Sequence, residues 1–211
     1  IALHAVKSAP SVARARRIRP EMPIVVALTG TDLYPNLRAQ PRGCDALDQA
    51  DRVVALQPLA AKQLLPHWRR KLRVIYQSVP RAIGALSRAR HSARVFRVVV
   101  VGHLRTVKDP LRTAYAVRRL PASSRLDVTH VGSALTEGWK RRAEHESKTN
   151  PRWHWLGETS LLRARRLIAS SDLLVLSSRS EGGAGVVGEA CVAGVPIVTT
   201  RTIPFPNLIL S

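Results

Sequence analysis

Two glutamates and the glycines between them, near the end of the chain, are the residues best suited to chemistry. Glu181 and Glu189 are separated by seven residues, in the order E-G-G-A-G-V-V-G-E. Carboxylates accept hydrogen bonds from sugar hydroxyls, and Gly182 and Gly183 let a backbone approach a ligand closely. The spacing alone is equally typical of a solvated loop glutamate followed by a surface helix glutamate.

A second polar stretch, residues 102–110, begins with Gly102 and carries two cations, Arg105 and Lys108. Arginine presents a planar fork to phosphate oxygens, and lysine presents a mobile point charge. Because residues 95–101 are the strongest strand signal in the chain, both cations are predicted to lie over the end of a sheet. Without other evidence they are equally typical of two surface cations.

The segments around these residues predict the elements that position them. Residues 173–176 have the length and branching of a buried strand, 184–193 predict a helix ended by Gly194, and 197–200 predict the next strand. Parallel strands joined by a helix bury both faces of their sheet. The free N–H groups at the start of that helix would suit a phosphate.

The same alternation of strands and helices runs along the rest of the chain. Further strands are predicted at 24–28, 52–56, 72–76, 125–131 and 152–156, and helices at 8–19, 58–65, 111–120, 135–147 and 160–169, with a short helical turn at 46–50. Residues 81–94 lose apolar periodicity and predict a linker. We therefore expect an α/β protein with two doubly wound parallel-sheet domains, at residues 1–80 and 95–211.

Polar and small residues also follow other predicted strands. His4 lies at the end of a strand whose beginning is absent, and Gly157 follows the strand at 152–156. Open α/β sheets bind ligands beyond the carboxyl ends of their strands. The candidates after the strand at 24–28 are Thr29, Gly30, Thr31 and Asp32. A lone histidine is more often structural than catalytic, although its position favours His4.

Composition limits the partners of this chain. Its 211 residues are 45% hydrophobic, which is enough for a large core. The net charge of +20 would attract nucleic acid, but the arginines are spread over every segment and aromatics make up only 4%, so no nucleic-acid partner is expected. No apolar run is long enough to span a bilayer, and Cys44 and Cys191 lack metal-ligand spacing. A reducing, cytoplasmic location is the simpler interpretation.

Two rival hypotheses rest on parts of the same sequence. Gly183, Gly185 and Gly188 spell the dinucleotide fingerprint G-x-G-x-x-G, and Arg201 would suit the 2′-phosphate of NADP. An NADP-binding oxidoreductase explains only these residues, and several polar residues separate the strand from the first glycine, where the fingerprint needs an immediate turn. A basic nucleic-acid or anion-binding module explains only the charge.

Taken together, the motifs resemble those of the family 4 glycosyltransferases, which have the GT-B fold of two Rossmann-like domains. The E-x7-E pattern combined with G-H-L-R-x-x-K-D-P at 102–110 carries this resemblance. Closer still, L-T-G-T-D-L-Y, V-I-Y-Q-S, V-V-G-H-L-R and S-R-S-E-G-G-A look like the selenosugar synthase branch of selenoneine biosynthesis. Enzymes of that branch join N-acetylglucosamine from a UDP donor to the selenium of selenophosphate.

The resemblance implies a role for each candidate. Arg105 and Lys108 would bind the donor diphosphate and stabilise the charge on the departing UDP, and Glu189 would accept hydrogen bonds from the ribose. Glu181 would hold the transferred sugar and its phosphates, with the backbone of Gly182, Gly183 and Ala184. His4 and residues 29–32 would face the sugar or the acceptor. No metal or cofactor is expected, because the cations and the helix end supply positive charge.

The chain also departs from the family pattern. The resemblance covers residues 3 to about 200, the opening strands of the first domain are absent, and residues 201–211 look unrelated. We therefore expect a fragment with an incomplete first domain that turns over poorly. Gly185 and Gly188 lie where the branch has better helix formers, at a cost of about 1 kcal/mol each. The acceptor, the stereochemical outcome and the oligomeric state stay open.

Overall fold

The computed structural model describes residues 1–34, 36–80 and 95–200. These residues form two compact units, one comprising 1–77 with 180–184 and the other comprising 78–80, 95–179 and 185–200. Each unit has its own parallel sheet, which confirms the predicted α/β class with two parallel sheets. The predicted linker at 81–94 and the residues after Thr200 lie outside the described residues.

The first unit has four parallel strands that follow one another across the sheet in chain order. Its strands are β1 (Ala2–Leu3), β2 (Val25–Ala27), β3 (Arg52–Ala55) and β4 (Leu72–Val74), and its helices are α1 (Ala5–Ile18), α2 (Pro41–Gln49) and α3 (Pro66–Arg70). Short 3-10 turns lie at Leu37–Ala39 and Pro58–Gln63. The helices cover a core that includes Val26, Leu47, Val53, Leu64 and Trp68, all of them fully buried.

Proline explains two differences between the predicted and observed helices of the first unit. One helix was predicted at 58–65, but the chain makes the 3-10 turn and then begins α3 at Pro66. Proline biases the residue before it towards extended backbone, and Leu65 has φ −68° and ψ 156°. Helix α2 begins at Pro41, well before the predicted turn at 46–50, because proline suits the first helical position.

The second unit has five parallel strands in the order β7-β6-β5-β8-β9. Its strands are β5 (Phe96–Val101), β6 (Leu126–Val131), β7 (Trp153–Trp155), β8 (Leu173–Leu176) and β9 (Ile197–Thr199). Its helices are α4 (Arg112–Arg118), α5 (Glu137–Thr149), α6 (Leu161–Ala169) and α7 (Gly185–Val192), with a 3-10 turn at Thr106–Lys108. None of the helices in the described ranges is long and apolar enough to cross a membrane.

Strand β5 supplies side chains to both faces of this sheet. Val98 and Val100 belong to the apolar cluster that contains Trp153, whereas Val99 belongs to the cluster that contains Ile168 and Ala190. Successive residues of a strand point to opposite faces, so a run of valines buries both. Helices α4 and α5 contribute to the first cluster and α6 and α7 to the second, which makes the unit doubly wound.

The strand order of the second unit reverses between β5 and β8. The chain leaves β5 for β6 and β7 on one side, then returns to β8 and β9 on the other. Open α/β sheets bind ligands in the crevice at this reversal, beyond the carboxyl ends of the strands. The segments that follow β5 and β8 are the two that the sequence singled out.

The charged pattern of the helix predicted at 135–147 predicts that His145 and its neighbouring charges are solvated, and this is wrong for Glu146, which is 4% exposed. Arg118 donates from Nε to its Oε1 at 2.7 Å and from a terminal nitrogen to its Oε2 at 3.1 Å. Asn150 donates a further hydrogen bond to Oε1 at 2.8 Å. Burial alone would raise the pKa of Glu146, but these hydrogen bonds and the Arg118 charge outweigh it and lower that pKa.

Gly188 has a packing reason to be glycine in the middle of α7. A Cβ at this position would lie 2.5 Å from Cγ2 of Val79, which is closer than real carbon contacts allow. Glycine has a low helix propensity, but it is needed here because it lets α7 approach Val79 within the second unit. Gly188, the last glycine of the G-x-G-x-x-G spacing, is therefore explained by packing and does not require a bound dinucleotide.

Candidate active site

The segment after β5 is anchored by the segment after β6. The backbone N–H of Leu104 donates to the carbonyl of Ser133 at 2.9 Å, and Leu104 is fully buried. The Ser133 hydroxyl lies 2.8 Å from Nδ1 of His103. These contacts fix the two residues that follow Gly102 and hold the start of the stretch that carries Arg105.

Gly132 and His130 support the carbonyl of Gly102 from the neighbouring strand. Gly132 has φ +145°, and a Cβ there would lie 2.2 Å from the Gly102 oxygen, so only glycine fits. Nε2 of His130 lies 3.0 Å from the same oxygen, a contact that requires the proton on Nε2. Burial lowers the pKa of His130 to about 4, so the ring is neutral at pH 7.

The end of β7 continues this line of strand ends. The N–H of Gly132 donates to the carbonyl of Gly157 at 2.8 Å, and Trp155 donates from its indole nitrogen to the Gly132 carbonyl at 2.8 Å. Trp153 is fully buried, whereas Trp155 is half-buried. Gly157 therefore lies beside the glycines that end β6 and β5, as its place after a strand predicted.

The segments after β5 and β8 are joined by hydrogen bonds. Ser177 donates from its hydroxyl to the carbonyls of Lys108 and Asp109, at 3.1 and 3.0 Å. The N–H of Arg179 donates to the carbonyl of Val107 at 2.8 Å, and its guanidinium lies 3.8 Å from the Asp109 carboxylate. The backbone that carries Arg105 and Lys108 is thereby fixed beside the exit of β8, at the strand reversal.

Arg105 has an unused hydrogen-bond donor. Its Nε is buried and has no hydrogen-bond partner in the part of the chain that the structure describes. Leaving a buried donor unpaired costs about 1–3 kcal/mol. A ligand whose acceptor pairs with this donor would recover that free energy on binding. The geometry suits an anion with several oxygens, such as a phosphate.

Glu189 is held by an arginine that sequence reasoning missed. Its Oε1 accepts a hydrogen bond from Nε of Arg165 in α6 at 2.9 Å, and the two side chains are 13% and 22% exposed. From the sequence, arginines scattered along a helix, such as those of α6, are predicted to form a solvated face. The available signal was that Ala164 and Ile168 face the core, which places Arg165 at the edge of the buried side.

In the first unit, Asp32 shapes the turn after β2. It is 0% exposed, and its Oδ2 accepts from the N–H of Ala5 at 2.8 Å. Its Oδ1 accepts from the N–H groups of Thr29 and Gly30, both at 2.9 Å. Both carboxylate oxygens are thus occupied by backbone donors, so Asp32 fixes the positions of its neighbours. Contact between this side chain and a substrate stays a prediction.

His4 lies where α1 begins and has φ 70°, in the region that favours glycine. Its Nδ1 accepts from the N–H of Lys7 at 3.3 Å, which places the proton of the neutral ring on Nε2. Nε2 lies 3.2 Å from the Thr31 hydroxyl, and the Asp32 carboxylate lies 3.9 Å from Nδ1. A strained backbone and an oriented ring are frequent at functional sites.

Residues 180–184 pack against the same turn within the first unit. A Cβ on Gly182 would lie 2.4 Å from Cα of Gly30 and from the Thr29 carbonyl. A Cβ on Gly183 would lie 2.8 Å from the side chain of Leu56. The two glycines are therefore required by backbone packing inside the protein, and their contact with a ligand stays a prediction.

The candidate residues thus fall into two groups, one in each unit. The first unit holds His4, Thr29, Gly30, Thr31, Asp32, Glu181, Gly182, Gly183 and Ala184, and the second holds Gly102, Arg105, Lys108, Gly157 and Glu189. Within the described ranges no three or more His, Cys, Asp or Glu side chains gather as a metal site would require. The expectation that catalysis needs no metal stays a prediction.

A doubly wound parallel sheet whose strand order reverses between β5 and β8 defines the class of Rossmann-like α/β proteins. The sequence profile described as glycosyl transferases group 1 matches residues 95–210, which is just over half of the chain. This protein belongs to that family. No curated protein sequence matches it significantly.

Solved structures of glycosyltransferases share the fold. HepE of Anabaena in complex with UDP has a TM-score of 0.73 and 20% identity, over 94% of this chain and 57% of that one. The lipopolysaccharide outer core galactosyltransferase WaaB has a TM-score of 0.67 and 16% identity, over 98% of this chain and 57% of that one. The pneumococcal O-GlcNAc transferase GtfA, solved with UDP and GlcNAc, has a TM-score of 0.65 and 16% identity, over 90% of this chain and 39% of that one. The chain therefore spans little more than half of these structures at most.

Proposed function

We propose that this chain carries the donor-binding part of a family 4 glycosyltransferase that uses a UDP-sugar. The observation that supports this most directly is the join between the segments after β5 and β8, through Ser177 and Arg179. It fixes Arg105 and Lys108 at the reversal of the strand order, in the unit that also carries Glu189.

The two cations would act on the leaving group. In the transfer, the bond between the anomeric carbon and a phosphate oxygen breaks, and its electron pair leaves with UDP. Arg105 and Lys108 would bind the diphosphate oxygens on which this charge grows, and such preorganised donors contribute about 3–4 kcal/mol each to catalysis. The unpaired Nε of Arg105 supports this role, because a diphosphate oxygen would satisfy it.

The remaining candidates would bind the rest of the donor and the acceptor. Glu189 would accept hydrogen bonds from the ribose hydroxyls, and Glu181 would hold the transferred sugar. His4 would face the sugar or the acceptor through its Nε2–H, which the tie to Lys7 orients. In this proposal the protein needs neither a metal nor a cofactor, because its cations neutralise the leaving diphosphate.

The finer proposal is that the sugar is N-acetylglucosamine and the acceptor is selenophosphate, as in selenosugar synthesis. A carbon–selenium bond would form as the carbon–oxygen bond to UDP breaks. The four motifs of the selenosugar synthase branch support this, and the structure of GtfA was solved with UDP and GlcNAc. A cytoplasmic location fits the two cysteines, Cys44 and Cys191, which are both free thiols.

The oxidoreductase hypothesis gains nothing from the structure. Residues 177–184 lie between β8 and α7, whereas the dinucleotide fingerprint needs a tight turn directly after its strand. Gly188 is explained by its approach to Val79. Packing therefore accounts for Gly183 and Gly188, two of the three glycines in the spacing.

Calorimetry on the full chain tests the proposed function. We expect UDP and UDP-N-acetylglucosamine to bind and NADP not to bind. Glu189→Ala should weaken UDP binding, while Arg201→Ala, which removes the cation an NADP site would need, should leave it unchanged. NADP binding that depends on Arg201 would contradict the proposal, as would DNA binding that persists in saturating UDP.

A further inference from the structure

We propose that Arg165 is a positioning residue for recognition of the donor ribose. Through one contact with Oε1 of Glu189 it fixes the carboxylate and leaves Oε2 to accept hydrogen bonds from the ribose hydroxyls. This inference rests on the proposed function, in which Glu189 binds the ribose. It assigns a role to a residue of α6 that the motifs do not include.

The contact between these side chains has the geometry of an orienting bond. Nε of Arg165 donates to Oε1 of Glu189 at 2.9 Å, and within the described part of the chain the structure gives Glu189 no second side-chain hydrogen bond. A guanidinium that paired with both oxygens would consume the carboxylate. A contact to one oxygen fixes the plane of the carboxylate and keeps the other oxygen available.

The surroundings make this contact stronger than a surface ion pair. The side chains of Arg165 and Glu189 are 22% and 13% exposed, so water screens them only partly. Ala164 and Ile168, on either side of Arg165 in α6, are buried and fix the helix against the sheet. Arg165 therefore has a rigid base from which to hold Glu189.

Charge gives a second reason for an arginine here. A carboxylate beside a diphosphate would be repelled by it, and a neighbouring cation offsets that repulsion. An arginine remains protonated at every physiological pH, so the compensation does not depend on conditions. Arg163 lies in the same helix but is exposed, and within the described ranges its side chain makes no hydrogen bond. It provides a matched control.

The test compares UDP with 2′-deoxy-UDP, which lacks one ribose hydroxyl, by calorimetry on the full chain. The unaltered chain should prefer UDP by about tenfold, because a hydrogen bond to a charged group is lost without that hydroxyl. Arg165→Ala should reduce the preference to about twofold while 2′-deoxy-UDP binding changes little. Arg163→Ala should retain the full preference.

Two further variants separate orientation from charge and from direct contact. Arg165→Lys keeps the charge but not the Nε donor, so it should not restore the preference for UDP. In a Glu189→Gln background, Arg165→Ala should have no additional effect, because it acts through Glu189. Thermal unfolding of each variant shows whether the fold is intact.

Three other outcomes would contradict the positioning role of Arg165, the proposed function, or both. If UDP binds and Glu189→Gln weakens it but Arg165→Ala keeps the tenfold preference, the positioning role is wrong and the proposed function stands. If Arg165→Ala still weakens UDP binding in the Glu189→Gln background, Arg165 contacts the nucleotide itself and the inference is wrong. If the unaltered chain does not bind UDP, the proposed function and the inference both fail.

Discussion

Two glutamate–arginine pairs in the second unit look alike in sequence and differ in what they leave available. Glu146 receives hydrogen bonds on both oxygens from Arg118 and a third from Asn150. Glu189 receives one bond on one oxygen, from Arg165. Both carboxylates are largely shielded from water.

The difference separates a pair that supports the fold from one that is prepared for a ligand. A saturated carboxylate has no capacity for a further donor, so Glu146 ties α5 to α4 and does no more. Glu189 has a second oxygen outside its bond to Arg165, and Nε of Arg105 is buried without a hydrogen-bond partner in the described part of the chain. Of these two carboxylates, the one with an unpaired oxygen is therefore the better candidate for binding a ligand. The predictions below test that distinction.

The largest effect should come from a buried group that supports the Gly102 carbonyl. His130 resists protonation when folded, with a pKa of about 4, whereas an unfolded histidine binds a proton below about pH 6.5. The unfolded state therefore gains protons first, and stability should fall by on the order of 3 kcal/mol as the pH drops from 6.5 to 4. Urea unfolding at several pH values measures this.

The control for this pH dependence is His130→Gln, which keeps a donor for the Gly102 carbonyl. It should flatten the curve between pH 6.5 and 4 even if it lowers stability overall. Glu146, whose pKa is lowered, begins to lose its contribution only below the ordinary pKa of a glutamate, at the acidic end of this range, so the two groups are distinguishable. An unchanged slope in the variant would contradict the assignment to His130.

Next in size is Arg105→Ala, which removes an incompletely paired group. The loss of charge-assisted hydrogen bonds to the diphosphate should weaken UDP binding about 100-fold, with little effect on the unfolding temperature. Calorimetry measures the affinity. Arg119→Ala, at an exposed position of the same unit, is the control and should bind UDP normally. Equal losses in both variants would show that net charge alone attracts the nucleotide.

Glu146→Ala should behave in the opposite way. It leaves the buried amide of Asn150 without this acceptor, and we expect a loss of about 2 kcal/mol in the free energy of unfolding. The affinity for UDP should not change in protein that remains folded. A decrease in UDP affinity without loss of stability would remove the distinction between the two pairs.

The smallest effect is expected for Glu189→Gln, which keeps the shape of the side chain and removes its charge. UDP binding should weaken about tenfold, and the free energy of unfolding should fall by only about 1 kcal/mol because Arg165 contacts a single oxygen. Calorimetry and thermal unfolding on the same samples measure both. A large loss of stability with unchanged affinity would place Glu189 with Glu146 as a supporting group.

The sequence was sufficient for the features that depend on local pattern. The strand predicted at 173–176 is β8 as observed, and the alternation of elements predicted two parallel sheets. Only the resemblance linked the cations after one strand to the helix after another, and Ser177 joins the segments that follow β5 and β8.

The features that were missed depend on packing between elements distant in the chain. The pattern of α6 places Arg165 nearer the buried side than Arg163, but its partner could not be predicted because Glu189 is in another helix. Glu146 was expected to be solvated for the same reason. The glycine at 188 also appeared to be a poor choice for a helix until Val79 was located beside it.

Alternate side chains of strand β5 pack into two separate apolar clusters. The register of β5 in the sheet therefore also determines the position of the cations that follow it. A slip of one residue would send Val99 into the space shaped for Val98 and would disturb both clusters at once. It would also shift Arg105 by about 3.3 Å along the strand axis. A change of register is thus unfavourable on both faces of the sheet. The packing that prevents it also fixes the position of the Arg105 guanidinium.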